Sequence, residues 1–265
     1  MTTAENILTE INALANGISH SKILQSNIEN ALETNSPVTF FRWTIFNITR
    51  TDQQNMQAAF TVDPQASASY IAMESQLRAV LERHHCPFKH ILLCPDDFVS
   101  MVFPELTTDT PDYQNQLQGY LNNLRRHYLS QGFANIQTYT LSQLLATAQL
   151  TTTYKNIYDK ITNSFDKDYF SPYVSKTDFE REVEWRKRMY NRQQLAVPNH
   201  IANELARRTF GAFFAETTCL YHLATQRICP NLALLSRLNP NEVDKHRTID
   251  IPEQWHLPRI FLLKA

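Results

Sequence analysis

The sequence predicts an α/β protein, a Rossmann-like three-layer sandwich in which a mostly parallel sheet of about five strands lies between helices, with helical additions. The first observation is a buried strand at 37–41, a helical pattern at 69–84 and a second strand at 89–94. Strand, helix and strand in this order form a parallel pair with a right-handed crossover. The second observation is that a helix at 113–129 leads into a third strand at 134–139.

Hydrophobic spacing assigns the remaining elements. Residues 7–31 predict one or two helices with a break near 17–19, and the polar residues 47–68 predict a long loop. From residue 141 onward most of the chain is helical. The predicted segments are a short helix at 96–102, helices at 141–146, 154–165 and 178–192, a long helix after Pro198, and strands at 232–235 and 260–263.

Length and composition favour one large domain. The chain has 265 residues, of which 43% are hydrophobic and 19% are charged, so it can bury a large core. We expect a single domain over 1–265, with an N-terminal helical segment at 1–35 and a helical insertion at 150–197. No apolar run reaches the roughly 20 residues that a membrane span needs. The polar start lacks a secretion signal and the cysteines lack CxxC spacing, so we expect a cytoplasmic protein with reduced thiols.

Several common site types are excluded by composition and motif. Four glycines are too few for a P-loop or a GxGxxG fingerprint, and no GxSxG elbow occurs. The group His84, His85, Cys86 and His90 matches no zinc spacing, so we expect neither a metal nor a cofactor. A net charge of −1 argues against a general nucleic-acid coat but leaves room for a local basic patch.

Glu216 is the leading candidate for chemistry, because it lies in the most apolar helical stretch of the chain, at 205–223. A carboxylate costs several kcal/mol to bury unless it is paired, hydrogen-bonded or protonated. A structural interpretation places Glu216 on the wet side of the helix while the phenylalanines face the core. A functional interpretation buries it in a cleft, where carboxylates with perturbed pKa values often mark active sites.

The location of the site follows from the predicted sheet. In open α/β sheets ligands bind beyond the carboxyl ends of the strands, so 44–50, 94–97 and 139–141 are expected to line it. A charged run at 179–188 pairs acids with bases four residues apart, Glu182 with Arg186 and Glu184 with Arg188, and is typical of a solvated helix face. Arginines and lysines on two helices could still form a phosphate-binding stripe.

The order of these segments resembles the tRNA-dependent cyclodipeptide synthases, whose catalytic domain is similar to that of class I aminoacyl-tRNA synthetases. The segments that carry the resemblance are 40–47, 91–98, 120–129, 136–145, 154–188 and 212–226 followed by 232–237. The chain departs from the family at Arg42, where a glycine is expected, at Thr44 in place of the serine, and at Ala212 and Leu235 or Ser236 in place of tyrosines.

The resemblance implies an aminoacyl transferase that uses charged tRNA to form a cyclic dipeptide or a related amide. Thr44 would accept the aminoacyl group, Glu216 would handle the proton of the amine, and Tyr221 would help to orient the substrate. Substrate contacts are expected at Asn47, Asp96, Ala212, Phe213 and Leu235. The partner, aminoacyl-tRNA, would lie on a basic face formed by Arg125, Arg126, Arg186, Lys187 and Arg188.

A second resemblance points to the isocyanide synthases, which convert the amino group of a free aromatic amino acid. Residues 91–97 and 112–114 are similar to that family, whereas the turn at 45–50 has no lysine. This alternative predicts a closed pocket without an extended basic face. A third alternative, a non-catalytic binding protein on the same scaffold, predicts no buried charge at Glu216.

Overall fold

The computed structural model describes residues 2–44, 47–50, 56–59, 64–94, 96, 111–164, 176–192, 198–226, 228–236 and 257–262. Eight helices and eight strands lie within these residues. The helices are α1 (Thr3–Leu14), α2 (Ser21–Thr34), α3 (Pro64–Arg83), α4 (Pro111–Ser130), α5 (Leu141–Thr147), α6 (Thr151–Ser164), α7 (Lys176–Arg192) and α8 (Asn199–Thr225). The strands are β1 (Ile18–Ser19), β2 (Val38–Trp43), β3 (Asn47–Arg50), β4 (Met56–Ala59), β5 (Phe88–Cys94), β6 (Ile136–Thr140), β7 (Leu232–Ser236) and β8 (Arg259–Phe261).

The main sheet has six strands in the order β1-β8-β7-β2-β5-β6. Every neighbouring pair is parallel except β1 with β8. Strand β2 lies at the centre, where Phe41 pairs with Ile91 on one side and with Leu234 on the other. This arrangement confirms the predicted Rossmann-like three-layer sandwich with a mostly parallel sheet, which has six strands where about five were predicted.

Two elements of the structure were not predicted from the sequence. The loop predicted at 47–68 is wrong, because β3 and β4 form an antiparallel hairpin there and α3 already begins at Pro64. The predicted break at 17–19 is strand β1, which is held at the sheet edge by pairing with β8. Both elements depend on backbone pairing rather than on an apolar periodicity, so the spacing of hydrophobic residues does not reveal them. Apart from Asp96, the helix predicted at 96–102 lies outside the described residues.

Helix ends follow local signals in the sequence. Thr2 caps α1 by accepting from the Glu5 backbone N–H, and the Glu5 side chain accepts from the Thr2 backbone, which completes a capping box. Thr140 and Gln143 form the same motif at the start of α5, directly after β6. At the other end of a helix, Gly132 adopts φ +87° just beyond α4, a conformation that a residue with a side chain rarely takes.

Alternate residues of the strands face two different helical layers. On one face, Val38, Phe40 and Leu235 pack into a core with α1, α2 and α3. On the other face, Phe41 and Ile91 pack with α5 and with the second half of α8. The first half of α8 packs with α6 and α7 and forms a third core. This core includes Ile161, Phe179, Val183, Ala206 and Phe210.

Candidate functional site

The strand order places the candidate site at the carboxyl ends of β2 and β7. From β2 the chain builds the sheet in one direction through β5 and β6, and then returns to the opposite side of β2 with β7. Crevices outside the carboxyl ends of strands at such a reversal are the usual ligand sites of open α/β sheets. Thr44 directly follows β2, and Ser236 ends β7. The candidate site therefore lies around these two residues.

Thr44 is 1% exposed, and its polar groups point back at the neighbouring strand. Its backbone N–H donates to the Leu93 carbonyl at 2.8 Å, and its hydroxyl donates to the same oxygen at 3.3 Å. Burial and the Asp96 carboxylate raise the pKa of the adjacent Cys94 thiol to about 12, while the Thr44 hydroxyl opposes that rise. To act as a nucleophile, the Thr44 hydroxyl must turn away from the carbonyl and give its proton to a base.

Glu216 is buried, with 7% of its surface exposed, so the structure excludes the solvent-facing interpretation of this residue. It shares a helix face with Cys219, Leu220 and Leu223, at the i, i+3, i+4 and i+7 positions. These three residues pack in the core between α8 and the sheet. Burial raises the pKa of the Cys219 thiol to about 12, and the nearby Glu216 carboxylate adds to the rise.

The height of Glu216 along the sheet also fits the site. At about 1.5 Å of rise per residue, Glu216 precedes the end of α8 at Thr225 by roughly 14 Å. The chain then turns back into β7, and the Cys229 N–H donates to the Leu223 carbonyl within that turn. At about 3.3 Å per residue, β7 spans roughly 13 Å. Glu216 therefore lies near the level of the carboxyl end of β7.

Asp96 has a structural use in this fold. One carboxylate oxygen accepts from the Ser142 backbone N–H at 3.0 Å, and the other accepts from the Ser142 hydroxyl. Because Ser142 is in the first turn of α5, Asp96 ties the end of β5 to the start of that helix. A substrate would have to compete with Ser142 for both oxygens.

The other residues expected to contact substrate lie on different sides of the sheet. Ala212 is fully buried in α8, and the half-buried Phe213 packs edge-to-face on Phe214 with ring centroids 5.8 Å apart. Leu235 is buried in the core with α1, α2 and α3, on the face opposite to α8. The structure therefore does not place Leu235 in the same layer as Glu216.

Tyr221 and Asn47 are less closely connected to the predicted site. Tyr221 lies five positions after Glu216, so the two side chains point roughly 140° apart around α8. The Tyr221 ring lies near His222, with centroids 6.4 Å apart. Asn47 begins β3 and pairs with Ala59 of β4, and its side chain lies outside the described part of the structure.

The expected basic face is divided between two helices. Arg125 and Arg126 are exposed on α4, which contacts β6, whereas α7 contacts α8. The Lys187 ammonium lies 2.7 Å from Glu184 and is its direct partner, and the predicted partner Arg188 also helps to lower the pKa of the Glu184 carboxyl. Arg188 is exposed, and the side chain of Arg186 lies outside the described part of the structure. This ion pair reduces the positive charge that α7 presents.

A buried polar cluster beneath the site was missed from the sequence. The Arg42 guanidinium contacts Glu74 at 3.2 Å, and the other Glu74 oxygen lies 3.8 Å from His90 Nε2. The three side chains are 6%, 1% and 6% exposed in that order. Tyr70 and Tyr128 cover the guanidinium, with ring centroids 5.3 and 5.4 Å from it. The cluster joins β2, α3, β5 and α4.

The electrostatics of this cluster keep Arg42 charged. Burial alone would lower the pKa of Arg42, but Glu74 and the surrounding tyrosines outweigh it and raise that pKa. Burial lowers the pKa of His90 despite the facing Glu74 carboxylate, and Arg42 lowers it further. Burial and Glu74 also raise the pKa of the Tyr128 phenol. The cluster therefore holds an arginine–glutamate ion pair beside a neutral imidazole and a neutral phenol.

One sequence signal could have found this cluster. Glu74 lies between Ile71 and Leu77 on the apolar stripe of α3. Glu216 interrupts the apolar stretch of α8 in the same way. Arg42 likewise interrupts the buried run of β2. Charged residues at core positions of two adjacent elements indicate a buried pair.

Neither a metal centre nor a membrane span is found in the described residues. Among them, no group of three or more histidine, cysteine, aspartate or glutamate side chains could hold a metal ion. His84, one of the histidines considered above, instead contacts Glu10 with its Nε2 at 2.7 Å. Within the same ranges, no helix is both long and apolar enough to cross a bilayer.

No protein-family model matches the chain, and no curated protein matches it in sequence. Some solved structures are similar to it. The PvcA protein from Pseudomonas aeruginosa is 12% identical, and the alignment covers 88% of this chain and 78% of PvcA with a TM-score of 0.51. A tryptophanyl-tRNA synthetase homolog from Entamoeba histolytica is 11% identical, over 98% of this chain and 59% of the homolog, with a TM-score of 0.44. A cyclo(L-leucyl-L-phenylalanyl) synthase is 10% identical, over 89% and 93%, with a TM-score of 0.41.

At these identities the likeness concerns the fold alone. The similarity to PvcA agrees with the Rossmann-like sheet described above. A function must therefore be argued from the residues at the carboxyl ends of β2 and β7.

Proposed function

We propose that this protein is an aminoacyl transferase that takes aminoacyl groups from charged tRNA and forms a cyclic dipeptide or a related amide. The observation that carries the proposal is the burial of Glu216 on the sheet-facing side of α8, near the level at which the strands end. Thr44 supplies a hydroxyl at the end of the central strand, beside the reversal of strand order. A buried carboxyl and a hydroxyl near a crevice are the two groups that acyl transfer requires.

The first step of the proposed reaction uses Thr44 as acceptor. Its hydroxyl oxygen forms a bond to the ester carbonyl carbon of aminoacyl-tRNA, and the bond from that carbon to the ribose oxygen breaks. The proton of the hydroxyl ends on the departing ribose oxygen. An aminoacyl ester of Thr44 and free tRNA result.

The second step uses Glu216 as the proton-handling group. The amine of a second aminoacyl-tRNA attacks the Thr44 ester, the new amide bond forms, and the bond to the threonine oxygen breaks. Glu216 accepts the proton of the amine and returns a proton to that oxygen. Its apolar surroundings suit this role, because a general base works best with a pKa tuned toward the working pH. The free amine of the resulting dipeptidyl-tRNA then attacks its own ester carbonyl, so that the second amide bond forms, the bond to the ribose oxygen breaks, and the amine proton ends on that oxygen of the departing tRNA.

The tRNA partner would meet the exposed cations. Arg125 and Arg126 on α4 and Arg188 on α7 are exposed and can contact phosphates. Arg186 and Lys187 are proposed to belong to the same surface. Binding through these residues should weaken steeply as salt is raised.

The experiment is intact-mass spectrometry of the protein after incubation with a mixture of charged tRNAs, together with analysis of the small products. The native protein should carry an aminoacyl adduct that maps to Thr44, and Thr44→Val should carry none. Thr44→Ser should retain the adduct, because serine keeps the hydroxyl. Glu216→Gln should keep the adduct but lose the product by about 100-fold or more, the usual contribution of general base catalysis.

Glu33→Gln is the matched control, since Glu33 is an exposed carboxylate of α2, a helix on the opposite face of the sheet. It should leave both adduct and product unchanged. Full product formation by Glu216→Gln, or an adduct on Thr44→Val, would contradict the assignment of these two residues.

A second function is favoured by one observation, the 1% exposure of Thr44. A closed site suits a free amino acid better than the end of a tRNA, so an enzyme that modifies a free aromatic amino acid is the alternative. Incubation with free tyrosine or tryptophan in place of charged tRNA separates the two. A binding protein without chemistry is disfavoured, because it predicts no buried charge at Glu216.

A further inference from the structure

The two oxygens of Glu74 have different surroundings. Oε1 accepts from the Arg42 guanidinium at 3.2 Å. Oε2 lies 3.8 Å from His90 Nε2, which is too long for a hydrogen bond. Neither Glu74 Oε2 nor His90 Nε2 has a hydrogen-bond partner within the described residues, and both atoms are buried.

Leaving these atoms unsatisfied would be costly. A buried polar atom without a partner costs about 1–3 kcal/mol, and more when it carries charge. The Glu74 carboxylate raises the pKa of the nearby Tyr128 phenol, yet neither the Tyr128 hydroxyl nor Glu74 Oε2 has a hydrogen-bond partner among the described residues. Two polar atoms more than 3.5 Å apart in a buried site are commonly joined through an ordered water.

The space beside these atoms is the right size for one such water. A small cavity of about 10 Å³ is lined by the polar residues Glu74, Arg78 and His90, and otherwise by apolar side chains that include Phe40, Leu81 and Phe133. A water molecule needs about 10–15 Å³ of this kind of volume and two to four polar partners. The same volume excludes an organic ligand.

We propose that this cavity binds one structural water that bridges Glu74 Oε2 and His90 Nε2. The water completes a polar network that runs from β2 through α3 to β5 and so holds Arg42 two residues before Thr44. This inference does not depend on the proposed aminoacyl transfer.

The protein contains its own reference contact. His84 Nε2 and Glu10 Oε1 are 2.7 Å apart, at a site where both side chains are partly exposed. This histidine–glutamate pair is direct, whereas the buried pair is 3.8 Å apart. One crystal structure can therefore compare both contacts under identical conditions.

The experiment is a crystal structure of the full chain at a resolution that shows ordered waters. We expect one density peak roughly 2.7–3.2 Å from both Glu74 Oε2 and His90 Nε2, and a direct His84–Glu10 contact. The proposal is overturned if the cavity shows no peak, or if Glu74 and His90 move into direct hydrogen-bond contact.

A solution measurement on the same protein provides a second test. A long-lived buried water gives NMR cross-peaks between the water line and the ring protons of His90 and Phe133. The cross-peak to Phe133 should disappear in His90→Leu, and the cross-peaks to both rings should persist in Gln137→Ala, a surface change on the neighbouring strand β6. Persistence of the Phe133 cross-peak in a folded His90→Leu protein would overturn the bridge.

Discussion

The two faces of the central strands bury different chemistry. On the face covered by α8, Phe41, Ile91 and Leu93 form an apolar core. On the face covered by α3 and α4, the same two strands contribute Arg42 and His90. Glu74 from α3 joins them, so this face contains a buried ion pair.

The two faces therefore contribute to the fold in different ways. Apolar burial contributes most of the stability and is non-directional, so residues of similar shape can replace one another. A buried ion pair contributes little net stability, because desolvation offsets its attraction. It does penalise any arrangement that separates Arg42 from Glu74, and it therefore favours one placement of α3 on the sheet.

Removing one partner of the ion pair should have the largest effect on stability. Glu74→Ala leaves the Arg42 charge buried without its carboxylate, and we expect the free energy of unfolding to fall by about 3–5 kcal/mol. Chemical denaturation followed by circular dichroism measures this loss. The double variant Arg42→Met/Glu74→Leu removes both charges and should recover most of it. A double variant at least as unstable as Glu74→Ala would contradict this expectation, because relief of the unpaired Arg42 charge would then have recovered nothing.

Alanine substitutions at two helical glycines test how closely each helical layer is packed. In α8, a Cβ on Gly211 would collide with the Thr162 hydroxyl and approach the Tyr158 ring to 3.0 Å, so Gly211→Ala should cost about 1–3 kcal/mol. In α4, nothing lies within 4 Å of such a Cβ on Gly119, so Gly119→Ala should stabilise the protein by up to about 1 kcal/mol. Thermal unfolding of both variants checks the opposite signs. A Gly211→Ala protein at least as stable as the native protein would mean that α6 and α8 do not pack closely at Gly211.

The pH dependence of stability should reveal the neutral His90. Burial lowers the pKa of His90 below its ordinary value of 6.5, so below that pH the unfolded chain binds a proton that the folded protein excludes. The free energy of unfolding should therefore fall as pH drops through this range, by up to about 1.4 kcal/mol per pH unit. Urea unfolding at several pH values measures the slope. The variant His90→Leu should remove this slope. The control variant His127→Gln, which changes a histidine of α4, should retain it.

The sequence predicts the central strands and most helices closely, for a clear physical reason. Parallel strands buried on both faces appear as continuous apolar runs, and this pattern is visible at 37–41 and 89–94. The hairpin of β3 and β4 was missed, since its strands lack such runs and are defined by pairing with each other. Capping boxes at Thr2 and Thr140 mark helix starts in the sequence itself.

The candidate site is only partly predictable for a related reason. Glu216 is recognisable because its apolar neighbours lie beside it in sequence, and its burial agrees with that interpretation. The use of Asp96 by Ser142 depends on a contact between residues 46 positions apart. The location of Leu235 on the face opposite to α8 depends on the register of β7 beside β2. Neither the Asp96–Ser142 contact nor the position of Leu235 is indicated by residues nearby in the sequence.

The order of residues sets which side chains alternate along each strand and where helices begin, and it shows that charges at Arg42, Glu74 and Glu216 interrupt apolar segments. The reversal of strand order at β2 and the contact of Glu74 with Arg42 across 32 positions of sequence are visible in the folded chain alone. Local patterns follow from the geometry of one helix or strand. Strand order and charge pairing depend instead on contacts between distant segments, which form only when the whole sheet and its two helical layers pack together.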